Sequence, residues 1–155
     1  MGNMLIGIIA GLAGAFFSTA ILRGQLFFAR FNSGPSRYLP PTATASALLA
    51  VAYFAGAQVL GPGNEVSKGL THGNLNSCGA LFPLAKMATT MLSYWSGIAG
   101  GIFAPSLSAG SALGADGARF MGASVESCAL IGMAALLSGT IQAPITSFVI
   151  IFEDA

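Results

Sequence analysis

Charged residues are rare in this chain, and long stretches of the sequence contain none. Met1–Leu22, Thr42–Leu60, Met87–Ala115 and Ser127–Phe152 contain no Asp, Glu, Lys or Arg. About 20 apolar residues in a helix can cross the hydrocarbon core of a bilayer. A soluble protein has about 25% charged residues, whereas this chain has 7% charged and 54% hydrophobic residues. The pattern predicts an all-α, polytopic membrane protein and argues against a soluble enzyme or a disordered tail.

The first two uncharged runs are each long enough to predict a full membrane span. Met1–Leu22 lacks the positive start and the cleavage site of a signal peptide. Thr42–Leu60 is the second predicted span, and Gly61–Asn64 is predicted to end it as a turn. The segment Glu65–Gly79 is too polar to face lipid, so it is expected to be interfacial or re-entrant.

The other two runs contain helix breakers. Gly100-Gly101 interrupts Met87–Ala115, and Pro144 divides Ser127–Phe152 into two pieces that are each shorter than a bilayer is thick. Irregular backbone at membrane depth is tolerated only where it is buried in protein or lines a cavity. Transport proteins bind ions where discontinuous helices end near the midplane. The breaks therefore favour a transport protein over a simple anchor.

The segment around Phe103 predicts an anion site made of backbone. Gly100-Gly101 gives conformational freedom, and Pro105 suits the first turn of a helix because its missing N–H is not needed there. The N–H groups of Ile102, Phe103 and Ala104 would then be unpaired at the positive end of the helix dipole. Such a site binds an anion without Arg or Lys. Taken alone, the same pattern is also typical of a helix break that only assists packing.

Several single polar residues have both a functional and a structural interpretation. Lys86 is expected to snorkel or to be paired near a helix end, with attraction of anions as the alternative. Asp116 and Arg119 are predicted to pair at i and i+3. His72 is expected to be interfacial rather than a proton relay, and Glu153 is expected to be at a solvated helix end.

Three functions other than transport have less support in the sequence. An intramembrane serine protease needs a serine near a histidine, and only Ser124 and, less well, Ser138 resemble such a nucleophile. A non-transporting structural subunit would contain the same helices. Nucleic-acid binding lacks a basic patch, since the net charge is +1. Cys78 and Cys128 have no metal-ligand spacing and are expected to be unrelated buried thiols, with a single disulfide between them as the alternative.

Several motifs resemble one family in their order and spacing. Gly100–Pro105 (GGIFAP) looks like the GxFxP signature of the CLC chloride channels and chloride/proton antiporters, and Ser106–Gly114 is similar to the helix that follows it. The next block of the family resembles Gly132–Gly139, Ala143–Thr146 and Glu153. Lys86 falls where family members often carry Lys or Arg. The resemblance extends from about Gly7 to Glu153.

The resemblance implies a specific site and fold. Residues 1–155 would be part of a CLC-type pore domain, namely most of the second of two inverted repeats, without the first repeat and the last helices. Chloride would be held by the backbone amides of Ile102 and Phe103, with Gly100, Gly101, Ala104 and Pro105 as supporting residues.

The resemblance also implies what surrounds the site. A serine from the first repeat, a tyrosine from the last helix and a gating glutamate in a GxExP motif would complete it, and this sequence contains none of the three. The full-length parent would be a homodimer in a bacterial inner membrane or a plasma membrane. It would transport chloride as a voltage-gated channel or an antiporter, without a cofactor, a metal or a nucleic-acid partner.

Overall fold

The computed structural model describes residues 2–29, 39–73, 79, 81–97 and 100–154, and its helices occupy most of these residues. No strand occurs within these ranges, so the predicted all-α class is confirmed. The helices, in chain order, are α1 (Gly2–Ala29), α2 (Leu39–Ala55), α3 (Asn64–Thr71), α4 (Phe82–Trp95), α5 (Phe103–Met121), α6 (Val125–Ile141) and α7 (Pro144–Asp154).

Of the two predicted full spans, the first forms one long helix and the second does not. Within α1, Asn3–Phe28 is long and apolar enough to cross a membrane, and it is the one such helix in the described part of the chain. The run Thr42–Leu60 is not one continuous helix, because α2 ends at Ala55 and is 17 residues long. Gly56 adopts a φ of 90°, a backbone conformation that ends a helix. A short 3-10 turn, Ala57–Val59, follows it.

The predicted breaks in the later runs are confirmed. α4 ends at Trp95 and α5 begins at Phe103, so the Gly100-Gly101 segment lies between two helices. The second break follows Gln142, which caps α6 with a φ of 59°. Pro144 is the first residue of α7, where the missing N–H of proline costs no intrahelical hydrogen bond.

Glycines allow α6 to pack tightly between α1 and α5. A Cβ atom on Gly110 of α5 would lie 2.7 Å from the carbonyl oxygen of Gly132 in α6. A Cβ on Gly14 of α1 would lie 3.2 Å from the Cα of Gly139 in α6. Small residues at such crossings are typical of helix pairs in membranes, because they let the two backbones approach closely.

Candidate functional site

The N-terminus of α5 has backbone N–H groups that no described residue accepts. Ile102 caps the helix without a side-chain hydrogen bond, and the N–H of Ser106 donates to the Ile102 carbonyl at 3.0 Å. The N–H groups of Ile102, Phe103 and Ala104 precede that bond and have no described acceptor. The structure therefore places the three predicted donors at the positive end of a 19-residue helix.

The side chains around these donors differ in exposure. The Phe103 ring is 52% exposed, whereas Ile102 is partly buried and packs against the apolar cluster between α1, α4, α5 and α6. Pro105 is the third residue of α5 and lies in its first turn, as predicted. Since the third N–H of a helix has no intrahelical acceptor, Pro105 costs the helix nothing.

The two glycines before the helix leave its start open. Gly101 does not have a positive φ, so a left-handed backbone is not the reason for a glycine at this position. Both are exposed, and a Cβ on Gly101 would meet no atom within 4 Å. Their effect is to keep the approach to the α5 amides free of side chains.

Tyr94 ties this glycine segment to the preceding helix. Its hydroxyl donates a hydrogen bond to the carbonyl oxygen of Gly100, and the ring belongs to the border of the same apolar cluster as Ile102. No motif in the sequence predicts this contact. An aromatic hydroxyl six residues before a glycine pair was the only signal for it in the sequence.

A cavity of about 150 Å³ with a mixed polar and apolar lining lies on the α4 side of the glycine segment. It is bounded by Lys86, Thr89, Thr90 and Ser93 of α4, by Gly100, Gly101 and Pro105, and by Leu48, Val59, Leu60 and Gly61. Ile102 and Phe103 are not part of this lining. The end of α4, the start of α5 and the turn after α2 therefore meet around one small space.

Lys86 is the charged residue of this cavity, and it neither snorkels to an interface nor pairs with a carboxylate among the described residues. It is 2% exposed, and its ammonium donates to the Val59 carbonyl at 2.8 Å and also to the Gly61 carbonyl. The expectation of a snorkelling lysine is corrected, because the linker between α2 and α3 folds over the side chain. In this position Lys86 holds that linker against α4.

The remaining predicted residues lie apart from the cavity. Arg119 pairs with Asp116 at 3.3 Å, as predicted. His72 is exposed at the end of α3, and no described hydrogen bond joins it to a serine, so the structure offers no support for a protease. Cys128 is a buried free thiol, Glu153 is exposed near the end of α7, and Cys78 lies outside the described residues.

Comparison with known proteins shows similarity to one family over nearly the whole chain. The family model described as voltage gated chloride channel matches residues 2–154. A protein of Yersinia pestis named H(+)/Cl(-) exchange transporter ClcA is 35% identical over 164 residues, which cover 97% of this chain and 33% of that protein. The protein of the same name from Salmonella agona is 31% identical over 161 residues, with 97% and 34% covered. The chain spans about a third of the length of the curated relatives it matches.

Proposed function

Because the chain belongs to the voltage gated chloride channel family, we propose that it supplies part of a chloride pathway across a membrane. The anion is held by the backbone N–H groups of Ile102 and Phe103, with Gly100, Gly101, Ala104 and Pro105 shaping the approach. The observation that carries this proposal is the set of donors at the start of α5 that have no described acceptor. Phe103 is 52% exposed, so an anion can reach these donors.

Backbone amides suit an ion that must be released as well as bound. Each N–H carries a partial positive charge, and the dipole of α5 adds about half an elementary charge at its N-terminus. A chloride there gains charge-assisted hydrogen bonds without meeting a full positive charge. Conduction needs binding that is strong enough to attract the ion and weak enough to let it leave.

We propose that this pathway lies in a multi-pass membrane protein and that the unit able to transport is larger than these 155 residues. The outer face of α1 supports a lipid environment, since Leu12, Phe16 and Leu26 are 67%, 70% and 72% exposed. The serine, tyrosine and gating glutamate that the resemblance implies are not in this sequence. A homodimer of the full-length parent follows from the same resemblance. The two relatives are named exchange transporters, so proton-coupled exchange is the first activity to test, before channel conduction.

A liposome assay tests the proposal. The 155-residue chain and a version extended to include the three missing motifs are reconstituted separately, and chloride efflux is followed with a chloride electrode. We expect selective efflux from the extended protein and none from the chain alone. Selective chloride flux from the 155 residues alone, or none from a folded extended protein, would contradict the proposal.

Binding to the chain separates a transport protein from a structural subunit. Unfolding temperatures are measured in detergent with chloride replaced stepwise by gluconate at constant ionic strength. An anion that binds the folded state stabilises it by RT ln(1 + [L]/Kd), which is about 2.7 kcal/mol at 100 times Kd. We expect the unfolding temperature to rise with chloride, and a structural subunit would show no such rise.

A further inference from the structure

The carbonyl of Gly100 is the oxygen that α5 would use if the helix began two residues earlier. In an α-helix each N–H donates to the carbonyl four residues before it, so the acceptor in register with the Ala104 N–H is Gly100. The helix begins at Phe103 instead, and the Ala104 N–H does not donate to the Gly100 carbonyl.

Only one residue has to change conformation for this missing bond to form. The backbone angles of Gly101, Ile102 and Phe103 set the distance from the Gly100 oxygen to the Ala104 N–H. Ile102 already has φ −87° and ψ −31°, and Phe103 is the first residue of the helix. The remaining residue is Gly101, and a glycine turns between backbone conformations more easily than any other residue. Local sequence alone therefore does not stop α5 from growing backwards.

Tyr94 holds the Gly100 carbonyl on the other helix. Its hydroxyl donates a hydrogen bond to that oxygen, and a Cβ atom on Gly100 would lie 4.0 Å from the Tyr94 ring. The ring is partly buried and packs against the apolar cluster between α1, α4, α5 and α6, which fixes the position of the hydroxyl. The Gly100 carbonyl is thus directed towards α4 and away from the start of α5.

The end of α4 brings the chain back to this hydroxyl. Gly97 has a φ of 84°, a left-handed conformation that commonly ends a helix. Its N–H donates to the Tyr94 carbonyl at 3.2 Å. Tyr94 therefore contacts both ends of the connection between α4 and α5, Gly97 through its backbone and Gly100 through its side chain.

We propose that Tyr94 is a positioning residue, which fixes where α5 begins and therefore which N–H groups are free for the anion. It acts through the Gly100 carbonyl rather than on the ion. With the hydroxyl bond, the Ala104 N–H stays free beside those of Ile102 and Phe103. Without it, the Gly100 carbonyl takes the Ala104 N–H, and the ion loses a donor. This role rests on the proposed function, because the ion concerned is the chloride at the start of α5.

Amide hydrogen exchange of the unaltered chain gives the first test. The full chain in detergent, in buffer without chloride, is followed residue by residue by NMR. The N–H of Ser106 donates to the Ile102 carbonyl at 3.0 Å, so its exchange is expected to be slow. We expect the Ala104 amide to exchange faster than the Ser106 amide. Equal protection of the two amides would overturn the proposal, and this result does not depend on any variant folding.

Tyr94→Phe then removes the hydroxyl and keeps the ring. We expect the Ala104 amide to become protected and the Kd for chloride, measured by calorimetric titration, to rise roughly twofold to tenfold, which is the range for one lost hydrogen bond between neutral groups. Tyr53→Phe is the matched control, because it removes a hydroxyl from an 87% exposed position of α2, and it should change neither quantity. Incorporation of 4-aminophenylalanine at position 94 restores a donor and should restore both.

These two measurements separate positioning from a merely structural role. A structural role would lower the unfolding temperature of Tyr94→Phe and leave the chloride affinity of the folded chain unchanged, which would overturn the proposal. Weaker chloride binding without protection of the Ala104 amide would also overturn it, because the start of α5 would not have moved. Either result, together with weaker binding by Phe103→Pro, would leave the proposed function intact. Absence of chloride binding by the unaltered chain would contradict the proposed function and the role of Tyr94 with it.

Discussion

Replacing Phe103 by proline tests whether chloride is held by the backbone. Phe103 is the first residue of α5, a helix position that proline occupies readily. The substitution therefore removes the N–H donor and leaves the intrahelical hydrogen bonds intact. Phe103→Leu is the matched variant, because it shortens a side chain that is already 52% exposed and retains the donor.

The size of the effect follows from the loss of one hydrogen bond to an ion. A hydrogen bond to a charged group contributes about 1.5–3 kcal/mol, and each 1.4 kcal/mol is about a tenfold change in affinity. We expect Phe103→Pro to weaken chloride binding at this position by roughly tenfold to a hundredfold. Phe103→Leu should bind chloride nearly as well as the unaltered chain.

The assay is a calorimetric titration of the chain in detergent with chloride. Ile102 has φ −87° and ψ −31°, and proline disfavours this helical conformation in the residue before it. Circular dichroism therefore has to show that Phe103→Pro retains its helices, and Ala104→Gly serves as the control for general loosening of the first turn. Unchanged affinity in folded Phe103→Pro would refute the backbone site. A larger loss in Phe103→Leu than in Phe103→Pro would indicate that the ring binds the ion.

Three further predictions concern packing, positioning and reactivity. Gly110→Ala should lower the free energy of unfolding by about 1–3 kcal/mol, since its Cβ would lie 2.7 Å from a carbonyl oxygen of α6. The control is Gly79→Ala at an exposed position, which should change the free energy of unfolding little because its Cβ would meet no atom within 4 Å. Equal effects of the two variants in a thermal unfolding assay would contradict the tight packing of α5 against α6. Tyr94→Phe should lower the unfolding free energy by about 0.5–1.5 kcal/mol by removing the hydroxyl that holds the glycine segment, and an unchanged denaturant midpoint would show that this contact contributes nothing. A fluorophosphonate probe should label neither Ser124 nor Ser138, and covalent labelling detected by mass spectrometry would revive the protease interpretation.

Much of the fold follows from local features that the sequence shows directly. The uncharged run at the N-terminus predicts the long helix α1, because a helix without charges needs an apolar environment along its whole length. Pro144 predicts the start of α7, and the segment Gly100–Pro105 predicts the break before α5. These residues act through their own backbone, so their effects do not depend on what packs against them. The donors of Ile102 and Phe103 could be predicted for the same reason.

The errors came from residues whose conformation depends on distant parts of the chain. Composition alone could not show that α2 ends at Ala55, because a glycine can lie inside a helix as well as end one. The φ of 90° at Gly56 ends this helix. Lys86 was expected to snorkel, and it is buried because the linker with Val59 and Gly61 folds over it, more than 20 residues away in the sequence. Tyr94 was not recognised as a contact of the glycine segment, because its ring has to be oriented by the apolar cluster around it.

The sequence by itself therefore determined the helical membrane class, the helix breaks and the row of backbone donors at Phe103. All three depend on residue type and spacing within one or two helical turns. Only the tertiary structure decided that α4, α5 and the linker after α2 border one small cavity, and that Lys86 is buried beside it. Burial and charge pairing depend on which segments pack together, and many distant contacts contribute to that choice. Local spacing does not encode those contacts, so the burial of Lys86 became visible only in the folded chain.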